Sequence, residues 1–164
     1  MNKKLIIGIL LFLILLIIGS VVLTDLNKAD TEVPSINSHL QKANNEYNTA
    51  VEYLNVKNYT QATEHINLSY SEYMQAQSSS QKALNKATNN NKTVQIEYFK
   101  YTLTEIDYKI NATVEMYNGL LTVNNSPSKA LQYFENSNKY MRNATEYSDK
   151  RSLLEEQYPD IFIK

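Results

Sequence analysis

The sequence predicts an all-α protein, with an N-terminal transmembrane helix followed by an elongated antiparallel bundle of about four helices. Three observations carry that expectation. Only three Gly and three Pro occur in 164 residues, too few for a fold that turns often. One uninterrupted apolar run lies near the N-terminus. Beyond it, apolar residues recur at spacings of three and four through long segments, the signature of amphipathic helices.

The elements follow in chain order. Residues 1–4, Met1-Asn2-Lys3-Lys4, read as a short cytoplasmic leader. Leu5 to Leu23 is apolar apart from Gly8, Gly19 and Ser20, and as a helix it spans roughly 28 Å, close to the hydrocarbon thickness of a bilayer. A cleaved signal peptide is the competing reading. Its apolar core runs about 7–15 residues and ends at a small-x-small site, whereas Gly19 and Ser20 each have Ile at the −3 position. The run is therefore read as a signal anchor that holds the protein in the plasma membrane as a single span. Lysines before it, and none directly after it, place the N-terminus in the cytoplasm and the C-terminal domain outside.

Residues 24–35 form the expected linker, with Pro34 separating the anchor from the next helix. The extracytoplasmic helical domain occupies 36–164. Its first helix runs from about Ser35 to Val56, with Ile36, Leu40, Ala43, Tyr47, Val51 and Leu54 as its stripe. The second runs from near Asn58 to Thr88, with Ala62, Ile66, Tyr70, Tyr73, Met74, Gln77, Leu84 and Ala87, interrupted by Ser78-Ser79-Ser80. Asn89-Asn90-Asn91 breaks it, because Asn tolerates left-handed backbone. The third, about Lys92 to Val123, carries a sustained heptad of Ile96, Phe99, Leu103, Ile106, Ile110, Thr113, Tyr117 and Leu120. After Asn124-Asn125, Ser126-Pro127 marks a helix start. The fourth helix runs to about Glu156 on Leu131, Phe134, Asn138, Met141 and Thr145, widened by Ala130, Tyr133, Tyr140 and Ala144. Tyr158-Pro159 stops it, and Ile161-Phe162-Ile163 is an apolar tail expected to fold back onto the bundle.

A faint repeat overlays this pattern. Ala50-Val51-Glu52-Tyr53, Asn58 to Ala62 and Ser71 to Ala76 parallel Thr113 to Tyr117, Pro127 to Ala130 and Asn138 to Arg142. These hairpins, about 43–76 and 108–145, resemble tetratricopeptide helix pairs. They lack the family's Trp, its Leu-Gly step and its 34-residue period. The resemblance implies TPR-like helix pairs as an alternative architecture and, by analogy, protein binding.

Function classes are narrowed by what the chain carries. Its net charge is −1, and −3 from Asp25 onward once Lys3 and Lys4 are set aside, with the basic residues scattered, so nucleic acid is not an expected partner. Without Cys there is no disulfide, thiolate nucleophile or zinc–thiolate site. His39 and His65 have no Glu three residues before them and are read as solvated or satisfied within their own helices. Nucleophile elbows and phosphate loops are missing. Glu97, Glu105, Asp107, Glu155 and Glu156 read as solvated helix faces. We therefore expect no enzyme, no cofactor and no metal.

What remains points to binding. Tyr98, Tyr101 and Tyr108 lie off the third helix's seam, near Lys100 and Lys109, and are the candidate partner-facing strip, since Tyr joins a large apolar body to a polar tip. Six Asn-x-Ser/Thr sequons occur, at Asn58, Asn67, Asn91, Asn111, Asn124 and Asn143. Surface N-glycosylation and an Asn-rich composition are alternative explanations for them, and Asn91 and Asn124, in predicted turns, are the most accessible candidates. The leading expectation is a non-enzymatic, membrane-anchored module that binds or scaffolds another protein. A bundle that holds a small molecule or envelope polymer is the alternative, and a homo-oligomer joined through the third helix's heptad is a further one.

Overall fold

The structure, a computed structural model, describes residues 32–162. Among these it is all-helical: α1 (Glu32–Asn55), α2 (Tyr59–Asn89), α3 (Thr93–Thr122), α4 (Pro127–Gln157) and a final turn, α5 (Pro159–Phe162). The expected anchor at 5–23 lies outside the described residues. No described helix is long and apolar enough to cross a membrane.

Local chemistry sets the boundaries. α1 takes in the end of the expected linker, because Pro34 sits in its first turn, where a missing N–H costs nothing. Two helices end in the same manner. Lys57 and Asn91 adopt left-handed φ of 60° and 53°. The following amides reach back five residues, Asn58 N–H to Tyr53 O at 2.9 Å and Lys92 N–H to Ala87 O at 2.9 Å, as in a Schellman closure. Asn58 then caps α2, its Oδ1 accepting from Gln61 N–H at 3.3 Å. Ser126 holds the N-cap position of α4 with Pro127 behind it, but its hydroxyl makes no capping bond.

Cross-helix contacts give the topology. His39 meets Glu72 and Glu46 meets His65, so α1 and α2 are antiparallel. Gln77 meets Asp107 while Lys109 lies over Tyr73, and Glu115 meets Asn136 while Tyr98 meets Glu155, which makes each later pair antiparallel too. Sequence neighbours pack most closely, while α1 reaches α4 through Tyr47, whose hydroxyl lies 2.7 Å from Ser137 Oγ. The interior falls into two apolar layers. One joins Val33, Ile36, Leu40, Tyr73, Phe99 and Ile106; the other joins Tyr47, Val51, Ile66, Met116, Phe134 and Met141.

The α1 stripe is buried as expected, but α2 presents a different face. Its buried residues are Ala62, Ile66, Ser69, Tyr73, Ala76, Ser80, Ala83 and Ala87, alternating in steps of four and three. Tyr70 and Met74 are exposed, and the serine run does not interrupt the seam, because Ser80 is buried in it. Small side chains let backbones approach. Ser69 Oγ donates to Ala43 O of α1 at 2.8 Å, and Ser137 Oγ donates to Ala112 O of α3 at 2.7 Å. The second helix of each hairpin thus closes on the first by the same bond. Ala62, Ser69, Ala76 and Ser80 recur as Ala130, Ser137, Ala144 and Ser148, each 68 positions later. In this register Tyr73 matches Met141, not Tyr140. Ala83 matches Arg151, where the small seam gives way to charge.

In α3 the expected seam is half of a wider face. Phe99, Ile106, Thr113 and Leu120 are buried, but so are Tyr98, Thr102, Glu105, Lys109, Ala112, Met116 and Gly119. Half of the heptad therefore faces the chain's own core, while Ile96, Leu103, Ile110 and Tyr117 are half-buried. On α4, Thr145 is exposed, and Ser137 and Ser148 take the places that the apolar pattern did not mark. Phe162 is buried and stacks on Tyr98, ring centroids 4.6 Å apart, so the tail does fold back; Ile163 lies outside the described residues.

Gly119 is required by this packing. A Cβ there would collide with the Phe134 ring, inside the second apolar layer. Gly119→Ala is expected to destabilise the fold by about 1–3 kcal/mol through overpacking, even though Ala is the better helix former by about 1 kcal/mol. Denaturant midpoints test this, and a Gly119→Ala chain more stable than the parent would show that the ring moves aside freely.

Candidate functional site

Two side-chain assemblies stand out: a buried charge cluster and a surface strip of tyrosines. The cluster is drawn from all four long helices. Glu105, 1% exposed, lies one turn from Lys109, whose Nζ is 2.7 Å from Glu105 Oε1. Arg151 Nη2 approaches Glu105 Oε2 at 3.5 Å, an ion-pair distance. Lys109 also donates to Asn44 Oδ1 at 3.2 Å, as does the Tyr73 hydroxyl at 2.7 Å. Tyr98 donates to Glu155 Oε1 at 2.9 Å, and the Arg151 guanidinium lies over the Tyr98 ring.

Burial pushes the Glu105 carboxyl up, but the neighbouring Arg151 and Lys109 charges outweigh it and hold the carboxyl below the ordinary glutamate value. Burial likewise drives the Tyr47, Tyr73 and Tyr98 phenols well above their usual range. These groups are a fixed ion pair and neutral donors. Their partners lie within the bundle, which suits holding helix faces in register.

The surface strip lies between α3 and α4. Tyr101 and Tyr108, one heptad apart on α3, face Tyr147 and Tyr140, one heptad apart on α4. Ring centroids are 6.3 Å apart for Tyr101–Tyr147, 5.7 Å for Tyr108–Tyr147 and 6.3 Å for Tyr108–Tyr140. All four side chains are half-buried. Lys150 Nζ sits 4.3 Å from the Tyr147 centroid and 2.7 Å from Glu146, and Tyr101 donates to Glu97 at 2.7 Å. That bond to Glu97 raises the Tyr101 phenol, and the Glu146 bond raises Lys150. The strip therefore offers tyrosine rings and hydroxyls flanked by the Glu97, Glu146 and Lys150 side chains. Such a surface makes contacts through ring faces and hydroxyl edges.

The structure sorts the candidates drawn from sequence. Tyr98 is 1% exposed and belongs to the buried cluster, so it is not partner-facing, while Tyr101 and Tyr108 are in the strip. Tyr140 and Tyr147 were missed as its other half, although their spacing of seven matches that of Tyr101 and Tyr108. Glu105, expected on a solvated face, is buried; its i,i+4 relation to Lys109 is the signal the sequence holds. The histidines are half-buried and pair across helices rather than within their own. His39 Nδ1 pairs with Glu72 and His65 Nδ1 with Glu46, each at 2.6 Å across α1 and α2. Among the described residues no three His, Cys, Asp or Glu side chains converge on a metal-binding point. Asn58, Asn67, Asn91, Asn111 and Asn124 are exposed, and Asn143 is half-buried.

Comparison of the chain with protein-family models, with curated proteins and with solved structures finds no match.

Proposed function

We propose that this chain is a membrane-anchored extracytoplasmic module that binds or scaffolds another protein without catalysing a reaction, and that the α3–α4 tyrosine strip is its contact surface. Residues 5–23 are the anchor in this reading, crossing the plasma membrane once with residues 1–4 inside. The strip carries the proposal. Half-buried tyrosines on two rigid helices lose little conformational freedom when a partner covers them, and Tyr is enriched at protein interfaces. The interior supports protein binding over a ligand held between helices. Tyr47, Tyr73 and Tyr98 fill the core, and each hydroxyl has a partner within the bundle. The paired hairpins are compatible with TPR-like geometry, but the Tyr47–Ser137 contact across α1 and α4 favours a bundle with a shared core.

A photo-crosslinking residue placed at Tyr108 in intact cells is expected to capture a defined protein. The same residue at exposed Lys82 on α2 is expected to capture it at least tenfold less. Equal capture at both positions, or none at Tyr108, rejects the strip. Protease cleavage of a C-terminal tag in intact cells tests the address independently, because protection until permeabilisation would place the domain inside.

A further inference from the structure

We propose that Asn58, Asn91 and Asn124, at the three turns joining the long helices, carry N-linked glycans, whereas the sequons at Asn67, Asn111 and Asn143 do not. This rests on the extracytoplasmic reading above, since transfer to the Asn amide occurs outside the cytoplasm. An oligosaccharyl transferase must reach the Asn side chain and also the hydroxyl two residues on, which is why acceptor sequons belong on surface loops.

The fold divides the sequons by that criterion. Asn58 precedes α2, Asn91 separates α2 from α3, and Asn124 lies between α3 and α4, so every turn between the long helices holds one. All three amides are exposed, Thr60 and Thr93 are exposed, and Ser126 is half-buried. The other three sequons lie inside helices. Ser69 is 0% exposed and Thr113 1% exposed, and their hydroxyls donate to Ala43 O and Ile110 O. Asn143 is half-buried within α4, and although Thr145 is exposed its Oγ1 is engaged, donating to Met141 O.

The chemistry fits the turns. Asn Nδ2 forms a bond to the anomeric carbon of a lipid-phosphate-linked oligosaccharide as the carbon–oxygen bond to phosphate breaks. The lipid phosphate leaves with the electron pair, and Nδ2 loses one proton. Oδ1 keeps its lone pairs, so glycosylated Asn58 still accepts from Gln61 N–H and still caps α2. Glycans at the turns lie at the two ends of the bundle and leave the tyrosine strip, on the helix flanks, uncovered.

The test uses the full chain recovered from membranes of cells that make it, read by intact and peptide mass, with tag accessibility measured in the same cells. Peptides containing Asn58, Asn91 and Asn124 are expected to carry a glycan mass. Thr60→Ala, Thr93→Ala and Ser126→Ala should each remove one such mass, and each leaves the asparagine itself in place. Unmodified turn peptides on a chain whose tag is cleaved in intact cells overturn the glycans but leave the address standing. A protected tag overturns both. Glycans on Asn67, Asn111 or Asn143 in place of the turns overturn the selection by fold.

Discussion

Replacing Glu105 with alanine is expected to destabilise the bundle by about 3–5 kcal/mol, because it strands two cations without their counter-charge. Lys109 and Arg151 both lean on this carboxylate, at 2.7 and 3.5 Å, and Lys109 would keep only Asn44 and the Tyr73 ring as favourable neighbours. The effect carries a pH signature. The folded-state carboxyl titrates below the ordinary glutamate value of 4.5, so its contribution is complete above that value and is lost as pH falls through the lower, folded-state value. The parent should therefore weaken in acid below about pH 4.5, and a Glu105→Gln chain should lack that part of the dependence. Denaturant melts at pH 7 and pH 3.5 measure both. A pH-independent difference between the two chains would mean that the cluster does not hold Glu105 ionised. A chain with leucine at 105, 109 and 151 together adds the complementary test. Apolar replacement of a whole buried ion cluster is often neutral or stabilising. Retained stability with lost crosslinking at Tyr108 would assign the charges to positioning α4 rather than to holding the fold.

Tyr47→Ala is the second large effect expected, about 3–5 kcal/mol, in line with truncation of a buried aromatic. Tyr47 is 0% exposed, packs in the layer with Met116, Phe134 and Met141, and joins α1 to α4 through Ser137. Tyr47→Phe keeps the ring and removes the hydroxyl, and should cost about 1 kcal/mol. Ser137 still donates to Ala112 O, so that variant strands no buried donor. A double-mutant cycle of Tyr47→Phe with Ser137→Ala should give a coupling of about 0.5–1.5 kcal/mol. Zero coupling, with a small loss for Tyr47→Ala, would show that α1 and α4 do not meet in solution and would revive the stacked helix-pair architecture.

How much was legible in the residues varies by element. The α1 stripe reads correctly because its apolar residues are large and evenly spaced. The Asn91 break reads correctly because the φ it must adopt is a local property. In α2 the same logic fails: the face that packs is made of Ala and Ser, which hydropathy barely marks, while Tyr70 and Met74 attract the eye and lie in solvent. Ser69 and Ser137 are buried because each hydroxyl meets a carbonyl on the adjoining helix, and no spacing within one helix reveals that. In α3 the apolar heptad conceals a second buried stripe containing Glu105 and Lys109, since charged residues are read as surface unless a distant partner is known. Arg151 is that partner, forty-six positions away.

Sequence by itself determined the helical class, the four long helices, their ends apart from the start of α1, and the positions of the turns. These depend on hydrogen bonds and backbone preferences within a few residues of each other. Which face of each helix is buried, and which tyrosines meet as a strip and which are enclosed, were decided only by the tertiary structure. Tyr98 shows why. Its neighbours Tyr101 and Tyr108 share its helix and its chemistry, yet Phe162, Glu155 and Arg151 close over Tyr98 alone, and burial is set by residues that only folding brings within reach.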